Sequence, residues 1–324
     1  MFSHRSVLKN AWKNTLKYKY LWLFGFFATL TAAGGTWEYN LLNQGFNQNI
    51  IIGSYAQLEK MIYLYQTITN FAGGVLSLFQ NGFWNFLNGL TILIISALLL
   101  AIIVWLAISS QGALINALKK ILTNKKETKI SYRENITVGH KNFWQILGMN
   151  LLIVFFIYFS FFIISLPLLI LVLKDIYLLG LIYIVLFVLF VPISTGFALM
   201  MKYAISYQIF EELGFKKSIQ KGYELFKKNW LISLEMAVIL FIISFLAGLI
   251  FSLFISIFIV PLFITSLALS ATWVSLLITT IGIILVIIFG TILSTFQISV
   301  WTQLFYELKN NDGILAKLER LIKR

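Results

Sequence analysis

Six apolar runs alternate with polar stretches along the chain, at roughly Leu21–Gly35, Leu90–Gln111, Ile146–Leu173, Tyr177–Met201, Leu231–Val260 and Ser275–Thr302. Most reach the roughly 20 residues an α-helix needs to cross a hydrocarbon core of about 30 Å. The first is short and borrows Tyr18 and Tyr20 as interfacial residues. The pattern predicts an all-α polytopic membrane protein with six transmembrane helices.

A second rhythm precedes three of these runs. SYRENITVGHKNFWQILGM (131–149) aligns with SIQKGYELFKKNWLISLEM (218–236) at a constant offset of 87. Lys141, Asn142 and Met149 fall on Lys228, Asn229 and Met236. Tyr132, Ile136, Gly139 and Phe143 fall on Ile219, Tyr223, Phe226 and Trp230, one helical stripe in each copy. Ser131 with Glu134 makes a capping box. A looser third copy opens the chain: Ser6-Val7-Leu8-Lys9-Asn10 matches Ser218-Ile219-Gln220-Lys221-Gly222, and Leu8, Trp12, Leu16 and Tyr20 line one face. The expected unit is a basic amphipathic interfacial helix, a span, an outer connection and a returning span. Three such hairpin repeats, about 1–118, 131–210 and 218–308, would make residues 1–324 a single integral membrane domain.

The first unit differs by an outer insertion, about 36–89, rich in Asn, Gln and Gly. Ala56–Phe71 and Val75–Leu87 inside it have helical patterning, and Leu76, Phe79, Phe83 and Phe86 share a face. A cap on the bundle and a ligand-gathering lid both fit. The cytoplasmic tail, 303–324, ends in a basic segment with Ile314, Leu318 and Leu321 on one side, read as a surface anchor or a docking site. Leu21–Leu30 followed by Thr31-Ala32-Ala33 also resembles a cleavable secretory signal. The repeat argues instead that this segment belongs to the fold.

Composition agrees with a lipid solvent: 60% of residues are hydrophobic and 11% charged, too few polar groups to cover a soluble domain. The absence of cysteine excludes disulfides and thiolate chemistry, and only two histidines, His4 and His140, are present. No metal or other cofactor is expected. The net charge of +13 raises the question of nucleic acid, which its distribution answers. The N-terminal segment holds five Lys and Arg, the 112–145 loop seven, the 202–230 loop six and the tail five, whereas Lys60 and Lys174 alone lie on the other side. By the positive-inside rule both termini are cytoplasmic, and the basic stripe faces anionic headgroups rather than nucleic acid. Lys9, Lys13, Lys17, Lys141, Lys217, Lys221 and Lys228 are the expected headgroup contacts, with Trp12, Trp144 and Trp230 seated at the interface.

QGALINAL (111–118), GHKNFW (139–144), KSIQKGYELFKKNW (217–230), WTQLFYELKNND (301–312) and the opening YLWLFGFFATL resemble a group of prokaryotic multi-spanning proteins related to the membrane domain of glycerophosphodiester phosphodiesterases. The resemblance implies the architecture and the cytoplasmic membrane of a prokaryote. The catalytic barrel of those enzymes has no counterpart here, so no catalytic residue carries over.

The candidate site is a polar cluster near the inner ends of the spans: Glu235, Lys202, Gln111, Asn150, Thr295, Ser299 and Gln303, with Ser110, Gln145 and Ser233 at similar depth. Glu235 lies about 7–8 Å inward from Trp230 along its helix. A charge in lipid costs on the order of 2–3 kcal/mol even on the gentler scales, so it must face protein or water, and Lys202 is its expected partner. An ion- or proton-sensitive cavity and a simple tie between helices both fit. The tie is favoured because Ile281–Phe289 offers nothing polar to continue a path. Thr291, Thr295 and Ser299 are read as a packing stripe, and Pro167, Pro192 and Pro261 as kinks absorbed by packing. The expected function is non-enzymatic: an accessory, scaffolding or lipid-interacting membrane protein, with a homo-oligomer or a protein partner left open. A small-solute or ion transporter using Glu235 is the alternative. An intramembrane lipid enzyme would need more acid and base groups at one depth than Glu235 with Lys202.

Overall fold

The computed structural model describes residues 4–31, 83–123, 132–174 and 177–310, together with Thr69 and Gly73. Most of the outer insertion, the tail beyond 310, Ser131 with its capping box, and the 32–35 end of the expected first span lie outside these residues. Every element among the described residues is helical. They are α1 (His4–Lys17), α2 (Leu21–Ala28), α3 (Phe83–Thr123), α4 (Tyr132–Lys141), α5 (Phe143–Lys174), α6 (Tyr177–Glu211), α7 (Phe215–Lys228), α8 (Trp230–Phe254), a π-helical turn (Ile255–Ile259), α9 (Val260–Ala268) and α10 (Thr272–Asn310).

Among the described residues, five stretches are long and apolar enough to cross a membrane: 86–123, 143–166, 182–211, 230–268 and 272–310. The expected first span is represented by α2, only 8 residues long. The outward surface of the long helices is a nearly unbroken apolar sheath, with Leu98, Leu99, Leu100, Ile102 and Ile103 all more than half or about half exposed. Water would not tolerate so large an apolar area on a folded chain. The protein is membrane-embedded.

The core sits at one end. Residues 107–118 of α3, 201–209 of α6 and 294–305 of α10 are buried on every side, the pattern of helices packed within protein rather than lining it. These three helix ends touch one another. Around them lie the three short helices: α4 packs on α3, α7 on α6, and α1 on α10. The approach is close enough to dictate sequence. A Cβ on Gly139 of α4 would fall on the Ser109 carbonyl of α3, and one on Gly222 of α7 would come within 2.8 Å of the Ala204 nitrogen of α6.

The corner that turns a short helix into a span is built alike twice. Asn142 ends α4 and its side-chain amide donates to the Val138 carbonyl at 2.9 Å. Asn229 ends α7 and donates to the Leu225 carbonyl at 3.1 Å. Each corner carbonyl then accepts from the first turn of the next helix, Ile146 in one and Ser233 in the other. An orphan carbonyl at each helix end is thereby satisfied by a short side chain that reaches back one turn.

One expectation needs correction. The spacing of Tyr132, Ile136, Gly139 and Phe143 predicts one face for the headgroup layer. Gly139 instead faces protein, on an edge it shares with Asn135 and Asn142, whereas Tyr132 is exposed. In α7 the protein-facing edge is Ser218, Gly222 and Leu225, next to the exposed Tyr223 and Trp230. In α1 it is His4, Val7, Ala11 and Thr15, next to Trp12 and Leu16. Each short helix thus has an inner edge of mostly small or polar residues. Close backbone contact requires small side chains, and hydropathy periodicity does not see them.

Of the kinks, Pro261 opens α9 directly after the π-helical turn. Its missing N–H and its ring's clash with the carbonyl four residues back account for the widened turn before it. Pro192 sits inside α6 without ending it.

Candidate functional site

The polar residues picked out by depth divide into three places. The first is an interhelical tie: Asn150 of α5 donates to the Gln111 side-chain oxygen of α3 at 2.9 Å, and both are buried. The second is the α2–α10 contact, where Thr295, fully buried, donates to the Thr291 carbonyl at 2.7 Å and Ser294 reaches the Gly25 carbonyl at 3.3 Å. The third surrounds Lys202 of α6, which is 6% exposed. Its ammonium lies 4.9 Å over the Trp301 ring of α10, a cation–π placement that offsets part of the cost of removing the charge from water. Ser299 and Gln303 are buried on α10 about half a turn to either side of Trp301.

Glu235 of α8 makes a contact with a further helix. Its carboxylate meets the imidazole of His4 at 3.2 Å, with both side chains largely buried. Depth along the spans points only to Lys202, whereas the His4 contact comes from α1, which packs against α10. Next to it, the Tyr203 and Ser233 hydroxyls share a 2.7 Å hydrogen bond between α6 and α8. His140, the other histidine, accepts from the Trp105 indole at 3.0 Å.

A cavity of about 20 Å³ lies where α3, α6 and α10 converge. Each helix gives it residues four apart: Gln111 and Ile115, Lys202 and Ser206, Ile298 and Thr302, with Ile205 and Trp301 completing the wall. Ser206 and Thr302 were missed in the sequence; their spacing from Lys202 and from Ile298 was the available signal. Away from this level, α10 presents only apolar side chains and Gly282 from Ile281 to Phe289.

The expected headgroup contacts are all at the surface. Lys9, Lys13, Lys17, Lys141, Lys217, Lys221 and Lys228 are exposed, as are Trp12, Trp144 and Trp230. Several of the lysines are also engaged within the protein: Lys17 lies 5.3 Å over the Tyr18 ring, Lys221 pairs with Glu211 at 2.6 Å, joined there by Lys309, and Lys141 pairs with Glu212 at 3.0 Å. The Lys141 hydrogen bond, reinforced by its charge, holds the Glu212 carboxyl below its ordinary value. Further ties hold short helices to long ones. Asn116 donates to Asn135 between α3 and α4, Gln208 of α6 donates to the corner residue Asn142, and Ser218 of α7 donates to Gln208, each at 2.9 Å.

Compared with family models, with curated proteins and with solved structures, the chain matches none.

Proposed function

We propose that this is a non-enzymatic, lipid-interacting scaffold of a prokaryotic cytoplasmic membrane, built as three hairpins of two spans each, with both termini and the short helices on the cytoplasmic side. The observation that carries this reading is the triple of short helices, each laid against a buried helix end with basic side chains at the surface and an exposed tryptophan on it or just after it. In this arrangement α1, α4 and α7 lie in the headgroup layer, their basic edges on lipid phosphates and their aromatic edges at the acyl boundary. The packing order supports the hairpin repeat: each short helix rests on the returning span of the unit before it, with α1 closing the circle on α10. The matched Asn142 and Asn229 corners support the offset of 87 at its most specific point. The first unit then takes α2 as the inner end of its short span, packed on α3 and α10, which argues for a retained rather than cleaved start. The resemblance to the phosphodiesterase membrane domain fits this architecture and adds no chemistry to it.

The transporter reading turns on Glu235 and the cavity beside Lys202. Glu235 is held by His4, and the cavity is too small for a solute. A dry outer half on α10 leaves the polar cluster a dead end.

The test is thermal stability in nanodiscs. Anionic phospholipid should raise Tm over purely zwitterionic lipid, and exchanging Lys9, Lys13, Lys217 and Lys228 for Gln should remove most of that rise. An equal Tm in both lipids, or solute flux into proteoliposomes that Glu235→Gln abolishes, would overturn the proposal.

A further inference from the structure

The three short helices dock by one scheme, and α1 departs from it at the central tie. α4 meets α3 where Asn116 donates to Asn135, and one turn away Gly139 closes on Gly112. α7 meets α6 alike: Ser218 donates to Gln208, and one turn away Gly222 closes on Ala204. α1 follows the same register on α10. His4, Val7 and Ala11 stand in step with Phe215, Ser218 and Gly222, and Val7 and Ala11 are buried as Ser218 and Gly222 are. Phe215 lies against Gly148, and His4 lies against Glu235, the residue that the offset of 87 sets on Gly148. On the long helices YQIFEEL (207–213) matches TQLFYEL (302–308), so Gln303 takes the place of Gln208. Trp12 of α1 meets Phe296 edge-on at 5.5 Å, and Gln303, about two turns further on, shares that α1-facing side.

What differs is the partner. Gln208 is used at both ends of its amide, donating to Asn142 and accepting from Ser218. Gln303 is 4% exposed, and among the described residues its side-chain carbonyl has no hydrogen-bond partner. Val7, in the place of Ser218, has no side-chain proton to give it. A buried acceptor in that condition favours any state in which it reaches water or a donor. The α1–α10 contact is also the least extensive of the three. Only Glu212–Gly214 separate α6 from α7, whereas no short connection joins α1 to α10. We propose that α1 is a detachable helix, which swings off α10 about the corner at Tyr18–Tyr20 and brings Gln303 to water while Asn116 and Gln208 keep α4 and α7 latched. The His4–Glu235 and Trp12–Phe296 contacts hold the docked state; undocking uncovers Val7, Ala11 and Thr15. The inference does not depend on lipid binding by the short helices.

Hydrogen exchange on the full chain in nanodiscs tests it. Amides of α1 should exchange at least roughly fivefold faster than those of α7, the factor of one ordinary hydrogen bond. Val7→Ser supplies the donor found in α7 and should slow α1 exchange by a similar factor, an effect that Gln303→Leu should abolish. Exchange of α1 as slow as that of α7 overturns the proposal, as does a Val7→Ser that changes nothing or acts equally without Gln303. Should that variant fold poorly, spin labels decide instead, since the cysteine-free chain takes them only where a cysteine is placed. Labels at the exposed positions Asn10→Cys and Asn310→Cys should give a second, longer distance, and Lys216→Cys with Asn310→Cys a single one. One distance for the α1 pair, or two for both pairs, overturns the proposal.

Discussion

Glu235 drew attention because it is an acid inside an apolar run, and its answer lies on another helix. Its contact with His4 joins α8 to α1. A partly buried pair loses more when one partner remains alone than when both are replaced. His4→Ala and Glu235→Gln should therefore be non-additive in unfolding from mixed micelles, with a coupling of about 1–2 kcal/mol; strict additivity would show that the contact contributes nothing. Glu212 behaves differently because it is exposed. Its folded pKa lies below its ordinary 4.5, so the Lys141 tie is fully present above that value and lost as pH falls through the lower folded one. A carboxyl NMR titration should place the Glu212 midpoint below that of an unpaired glutamate, and Lys141→Met should return it to the ordinary range. At this scale depth and residue type were legible, but azimuth was not. Lys202, Gln111 and Asn150 were recognisable as buried polar residues, whereas the partner of Glu235 depended on where α1 crosses the bundle.

Among the elements, the long helices were legible because hydropathy alone requires them, although α3 and α10 run well past the apolar stretches that announced them. The short helices were legible as aromatic stripes, yet the edge that docks them is a different one, read from Gly139, Gly222 and Ala11. Lipid and protein both accept apolar side chains, so periodicity cannot tell the two faces apart; tight backbone approach can. Gly222→Val should accordingly destabilise by about 2 kcal/mol through overpacking against Ala204. Gly248→Ala, where no atom lies within 4 Å of the added carbon, should be neutral or slightly stabilising. Equal losses in thermal unfolding would contradict the close-contact account. At the turn between α9 and α10, Ser270 has φ 54°, the left-handed region in which a side chain costs roughly 1 kcal/mol. Ser270→Gly should recover most of that as a higher Tm, and an unchanged or lower Tm would contradict it.

For the molecule as a whole, the two ends of the bundle differ in kind. One end concentrates burial, hydrogen-bonded polar ties and lysines, and the rest is sheathed in apolar side chains. The charge asymmetry was visible in the sequence because it is a one-dimensional property of the loops. The convergence of α3, α6 and α10 was not, because no local pattern encodes which span neighbours which. The proposed role follows from this polarity: a basic, tryptophan-edged rim around a dry bundle is suited to holding anionic lipid. Native mass spectrometry of the protein released gently from its own membrane tests this most directly. Retained anionic phospholipid, reduced when Lys9, Lys13, Lys217 and Lys228 become Gln, is the predicted result. A protein carrying no lipid, or one carrying a small polar solute in its place, would contradict the account.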